Sequence, residues 1–523
     1  MTLLFKSGDD WSEELIQRCW EQCVIFARDY LRQDYYPPQI EVVSAAQMLD
    51  AYTSSGLPIY YPHWSFGKEL VRSEADYAKG RMGLAYEIVI NSNPCIAYLM
   101  EENAALTQLL VIAHASIGHS AVFKNNYLFK TQTDAAGIVG YLSFAKRYIL
   151  MCEERYGVSE VESVLDACHA LSMYGVDNAK RHRKLNAEQE ETKAIEQFAQ
   201  QLYDYDAVWE KIGKGMVTKS KGVAAKEPEG TLEEPVENIL YYIEKNAKIP
   251  GWKKELIRIT RMIAQYFDPQ RKTKVLNEGY ATFTHYEFMH WAYNQGLIDE
   301  GSMLEFYSMH SGVIYQRPRA AFNPYKLGFE IFASLKEAAL NGCSDPDDEP
   351  YLGHLKGKDW RDVVQDAMMN YTDESFILQF LAPSVAKKLQ MFAYRDHGMY
   401  DDVYVVTEVA RPESFRALRE KLSAQYHLSR YKPDIQVVAH SKAGTLTLKH
   451  FVVNNRPLNE EQATDVVVHA SYLWGGPIEL VMFIDDGDGE TSVPHVISAL
   501  DGKHVKAGQD DDDQEVDFFY PVP

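Results

Sequence analysis

The chain has 523 residues, enough for two or more domains, and its apolar fraction of 46% is that of a globular protein with a sizeable core. A formal charge of -22 excludes nucleic acid or an anionic membrane as the main partner, because both require a basic face. None of the six cysteines forms C-x-x-C. The start of the chain has no basic-then-apolar leader, and no run approaches the roughly 18 apolar residues of a membrane span, so a cytoplasmic protein with reduced thiols is expected.

In chain order, Trp11 to Arg32 reads as an amphipathic helix with Leu15, Cys19, Cys23 and Phe26 on one face. Ile40 to Val43 reads as a short strand, and Ala45 to Tyr52 as a turn or two of helix. Tyr60 to Lys68 is an aromatic, Pro- and Gly-punctuated loop carrying His63. Leu84 to Asn91 has the β-branched and aromatic content of a strand. A long helix is expected from Ile96 to Gly118, with Glu101 and Glu102 three turns before His114. Helices follow at Ile138 to Arg147 and Val158 to Tyr174. The charged stretch of about 180–234 reads as a linker. Trp252 to Phe267 and Leu276 to Gln295 read as helices. The loop Tyr315 to Arg319 is Arg-rich and suited to an anionic substrate end.

From Met391 the texture changes. Asp402–Val409, Pro412–Gln425, Asp434–Ser441, Thr445–Val453, Asn459–Leu473 and Ile478–Asp485 read as β-α-β-β-α-β, the ferredoxin-like split unit. The expected class is therefore α+β: a mainly helical domain over 1–390, a ferredoxin-like domain over 391–500 and an acidic tail over 501–523. The tail holds the run Asp510 to Asp513. The second domain is of a kind that mediates association, including between copies of the chain.

The chemistry concentrates in two stretches. A-H-A-S-I-G-H, Ala113 to His119, ends an apolar helix with two histidines, and N-E-G-Y-A-T-F, Asn277 to Phe283, opens another with Glu278. Two neutral imidazoles and a distant carboxylate are the ligand set of a zinc hydrolase, with a fourth position left for water. Zinc peptidases that carry H-E-x-x-H have their histidines at i, i+4, on one helix face. Here the spacing is i, i+5, which on a regular helix turns the second ring about 140° from the first. A break or bulge at Gly118 would be needed to bring His114 and His119 together. Ala115 also stands where those enzymes carry the general base, so Glu102 or His285 is the expected proton acceptor. His285 lies two turns from Glu278, about 10 Å along the helix. It therefore fits a group beside a ligand better than a ligand to the same ion. The alternative for these histidines is a structural one, as hydrogen-bonded groups near a helix end.

Long strings along the chain carry a resemblance. They are Y-P-H-W-S-F-G-K (Tyr61 to Lys68), L-A-Y-E-I-V-I-N-S-N-P-C-I-A-Y-L-M-E-E-N (Leu84 to Asn103), A-H-A-S-I-G-H with F-K-N-N-Y-L-F (Ala113 to Phe129), N-E-G-Y-A-T-F, N-P-Y-K-L-G-F (Asn323 to Phe329) and D-E-S-F-I-L-Q-F-L (Asp373 to Leu381). With these the chain resembles the SpoVR family of bacterial proteins, named for a stage V sporulation protein. The resemblance implies a link to spore cortex formation, or to stress and stationary-phase physiology. It also implies a serine protein kinase and a von Willebrand-type protein as partners. It implies no settled reaction.

Two functional expectations follow. The first is a zinc-dependent hydrolase, with His114, His119 and Glu278 on the metal and a peptide or peptidoglycan-precursor amide as substrate. The second is a non-catalytic regulatory protein on a degenerate peptidase scaffold, favoured by Ala115. A di-iron carboxylate site would need a Glu-x-x-His pair, and none surrounds His114 or His285.

Overall fold

The computed structural model describes residues 3–53, 61, 63, 87–177, 232–317, 321–391, 393–396, 404–408, 412–427, 432–441, 443–451, 458–485 and 492–505. The expected linker, apart from its last residues, and the acidic run at Asp510 lie outside these residues, as does most of the aromatic loop. The architecture is α+β: mostly helical, with a C-terminal sheet. The chain forms two compact units that interleave in sequence, one of Met1–Leu150 with Tyr266–Arg430 and one of Met151–Gln265 with Tyr431–Pro523.

In the first unit α1 (Glu13–Ile25) is N-capped by Ser12, whose side chain accepts from Leu15 N, and runs into a π-helical turn at Phe26–Leu31. A three-stranded sheet follows, of β1 (Pro38–Val43), β2 (Glu87–Ile90) and β3 (Cys95–Met100). The middle strand β3 runs parallel to β1 and antiparallel to β2. Strand periodicity sends Ile88 and Ile90 of β2 into the core, so Glu87 and Val89 face the other way. Ile96–Met100 was expected to start a helix. It is instead a strand, apolar throughout and paired on both sides. Glu101 and Glu102 consequently fall in a turn.

The central helix α2 spans Ala105–Asn125 and is buried up to Phe123. It is the one helix among the described residues long and apolar enough to cross a membrane, and a fully buried core helix passes the same test. It packs against α3 (Lys274–Asn294), which also packs on α5 (Pro324–Asn341); α4 (Glu300–Val313) lies between these two in sequence. Two glycine contacts set these approaches. A Cβ at Gly118 would come 2.6 Å from Ala281 Cα, and one at Gly328 would come 2.6 Å from Gly279 Cα. Around them Phe332 packs edge-on to Tyr280 at 5.4 Å and lies 4.8 Å from Phe376. Truncating such a buried ring typically costs about 3–5 kcal/mol.

The start of α3 is held by Asp373, whose two carboxylate oxygens accept from Val275 N at 2.9 Å and Leu276 N at 2.8 Å. The D-E-S-F string thus caps the helix that carries Glu278. Asn126 is also structural: its amide donates to Met368 O and Tyr371 O, and its oxygen accepts from Leu128 N.

The second unit holds a six-stranded sheet in the order Lys503–Val505, Ser492–Leu500, Ile478–Asp485, Leu446–Phe451, Asp434–His440, Leu232–Glu237. Glu460–Trp474 connects Leu446–Phe451 to Ile478–Asp485, which pair in parallel as direct neighbours. A split βαβ unit would place another strand between them. The strand expected to do so, Asp402–Val409, is observed over Tyr404–Glu408 and pairs instead with Ala393–Asp396 within the first unit. These strands therefore do not form the ferredoxin-like order.

Candidate metal centre

The segment Ala113–His119 of α2 is a π-helix. In this form hydrogen bonds run i to i+5, so residues five apart stack along one face. The i, i+5 spacing that a regular helix would splay apart is therefore brought together without a break. The His114 and His119 rings lie 4.7 Å apart, nearly perpendicular. The π-helical turn is the bulge that the i, i+5 spacing required, and Gly118 lies inside it with the backbone still helical. What Gly118 supplies is the close approach of Ala281, three residues beyond Glu278.

Both imidazoles turn Nε2 toward two carboxylates. His114 Nε2 is 3.2 Å from Glu87 Oε1 and 3.9 Å from Glu278 Oε2, and His119 Nε2 is 3.5 Å from Glu278 Oε2. Glu87, His114 and His119 present ligand atoms within 4.8 Å of one another, the spacing of a metal-binding group. The opposite ring atoms are held from behind. His119 Nδ1 donates to Asn277 Oδ1 at 3.0 Å. His114 Nδ1 meets His285 Nδ1 at 2.9 Å, and His285 Nε2 meets His310 Nδ1 at 3.1 Å. A proton fixed on Nδ1 leaves the Nε2 lone pair for a cation.

The electrostatics fit a cation. Burial lowers the His114 pKa to about 4, so the ring is neutral at physiological pH. Burial also lowers His285 well below its usual range. Burial and the Glu278 charge raise Glu87 well above the usual carboxylate value. Burial pushes Glu278 up as well, but contacts with His114, His119 and Tyr325 outweigh it and hold that carboxyl low. His114 Nε2, Glu87 Oε2 and Glu278 Oε2 are buried and without hydrogen-bond partners. Each such orphan costs about 1–3 kcal/mol. A divalent ion would take the His114 Nε2 and Glu278 Oε2 lone pairs, and a water on that ion would give Glu87 Oε2 a partner. Two imidazoles and two carboxylates suit a divalent transition metal of borderline softness.

A cavity of about 450 Å³ opens beside the cluster, lined by Glu87, His119 and Glu278 and, on its other walls, by Phe123, Tyr325 and Arg271 among others. Of the expected site residues, His114, His119 and Glu278 come together, with His285 behind His114. Glu102 does not join them. It sits exposed in the turn after β3, where its carboxylate accepts from Ala45 N at 3.3 Å. Glu87 was missed. Its signal was present: it is the sole charged residue of L-A-Y-E-I-V-I-N, on a strand just before the histidine helix.

The fold and cluster define an α+β protein with a two-histidine, two-carboxylate site, three groups of which come from a π-helical turn and the helix packed on it. Residues 10–431 match the family described as SpoVR like protein and residues 433–484 match the SpoVR-like C-terminal domain; the chain belongs to the SpoVR family. It is 42% identical over 501 residues to the Escherichia coli (strain K12) protein named "Uncharacterized protein YcgB", covering 94% of this chain and 96% of that one. No solved structure matches.

Proposed function

We propose that the protein is a metal-dependent hydrolase acting on an amide, with His114, His119 and Glu278 as metal ligands and Glu87 as proton acceptor. One observation carries the reading: the orphaned, buried ligand atoms of His114, Glu87 and Glu278 converge beside an open cavity. A divalent metal bound there would supply an activated water and polarise the scissile carbonyl. Glu87 then fills the role that Ala115 leaves open. Glu87 lines the cavity with Oε1 3.2 Å from His114 Nε2, so it is placed to take a proton from a water held at the site and return it to the leaving amine. His285 holds the His114 ring rather than meeting substrate.

Zinc agrees with the donor set, and the scaffold, with a strand beside the histidine helix, is proposed to be zinc-peptidase-like by analogy. A peptide or peptidoglycan-precursor amide in the cytoplasm is the proposed substrate, in keeping with six free cysteines, five of them buried. The serine protein kinase and the von Willebrand-type protein are proposed as partners on the family resemblance alone.

The test is turnover of a panel of N-acyl amino acids, short peptides and muropeptide precursors by chelator-treated protein reloaded with zinc, manganese or iron(II). Metal-restored hydrolysis that falls about 10²–10⁴-fold in Glu87→Gln, with metal retained, supports the assignment. The absence of hydrolysis with every metal, on protein shown to hold it, contradicts it.

A further inference from the structure

The cavity has a second chemical end. Besides the carboxylates, Arg271, Lys274 and Gln270 line it, while Val89, Phe123 and Phe267 give it an apolar body. Asp268, fully buried, anchors Arg271 through an ion pair and also pairs with Lys272 at 2.5 Å. That contact engages one edge of the guanidinium. Its Nε is buried and without a hydrogen-bond partner. Lys274 is exposed and makes no ion pair among the described residues.

The spacing is fixed by the backbone. Lys274 is the first residue of α3, and Glu278 lies one turn further on, about 6 Å along the axis and on the same face. Both line the cavity.

We propose that Arg271 and Lys274 form an anion-binding subsite that takes a carboxylate or phosphate carried about one helical turn from the bond to be cleaved. The inference rests on the hydrolase reading for what happens at the other end, but the anion contact itself requires no metal. Arg271 provides the planar donor edge such groups match, Lys274 the mobile point charge. Gln270 adds an amide donor. A cavity of about 450 Å³ accommodates a ligand of a few residues' bulk with one anionic end. The substrate class is thereby narrowed to acyl amino acids, peptides ending in a free carboxylate within reach of the scissile amide, or their phosphorylated counterparts.

The experiment measures binding of succinate and of inorganic phosphate to the full-length protein by calorimetry, as isolated and after chelator treatment. The parent is compared with Lys274→Gln and Arg271→Gln. Lys274→Gln touches an exposed side chain and leaves the fold intact, so it keeps the test sound if loss of Arg271 disturbs Asp268. The expected result is that the parent binds at least one of the two anions, and both variants bind it at least about tenfold more weakly. Tighter succinate binding assigns a carboxylate ligand, and tighter phosphate binding a phosphorylated one. No binding of either anion to the parent, or equal binding by parent and Lys274→Gln, overturns the subsite. Anion binding by a protein that holds no metal upholds the subsite and sinks the hydrolase reading. Stoichiometric metal without anion binding does the reverse.

Discussion

Nδ1 of His114 lies 2.9 Å from Nδ1 of His285, a residue two turns along α3 from Glu278. Two ring nitrogens in hydrogen-bond contact share one proton. If His114 offers its Nε2 lone pair to a metal, its Nδ1–H donates to His285, whose Nε2–H then donates to His310 Nδ1. The chain of three histidines ends at His310 Nε2, which has no partner among the described residues.

His285→Gln therefore loosens the His114 ring without removing a ligand. Metal affinity is expected to fall about 10–100-fold, with full occupancy still reached at high metal concentration. Competition against a chromophoric chelator measures this. An unchanged affinity would make His285 a packing residue.

Asn277 does the same for His119 from the opposite side, at 3.0 Å from Nδ1. Asn277→Ala is expected to lower metal affinity by a similar factor. Asn277→Asp should restore most of it, because a carboxylate oxygen can accept the same proton. Failure of the aspartate to rescue would show that the effect is not orientation of the ring.

Much of this was legible in the sequence. The histidine pair, Glu278 and a place for His285 apart from them all follow from residue type and helical spacing. The approach of His114 to His119 was not, because regular helix geometry separates residues five apart, and only the π-helical turn stacks them. Glu87 was only partly legible. Its strand could be read locally, but its contact with His114 joins residues far apart in sequence, which no local pattern contains. Reading Ile96–Met100 as helix put Glu102 on the histidine helix and removed the strand that pairs with β2. The ferredoxin-like order failed in the same way, since local patterning gave a strand at Tyr404–Glu408 but not its partner.

Gly118→Ala tests the packing on which the turn depends. The added Cβ meets the Ala281 backbone, which cannot rotate away. The expected cost is about 1–3 kcal/mol, measured by denaturant unfolding, with weakened metal retention. Stability equal to the parent would mean that α2 and α3 are not held this closely.

Burial lowers the His310 pKa to about 4, with the His290 charge adding to the effect. His285, His290 and the rings of Tyr286, Phe306 and Phe329 face it. A depressed folded-state pKa means that the unfolded chain binds the extra proton. Stability from this group is complete above about pH 6.5, the unfolded value, and is lost as pH falls toward about 4. His310→Gln should therefore flatten the fall in stability over that window by up to one proton per chain. Parallel pH profiles for parent and variant would contradict neutral burial of His310.

The central claim is the metal site, and elemental analysis of untagged protein purified without chelator tests it most directly. The account predicts about one divalent transition-metal ion per chain in the parent and in Glu87→Gln, and none in His114→Ala or Glu278→Ala that remain folded by circular dichroism. A folded parent that carries no metal, and takes up none when it is supplied, would contradict it.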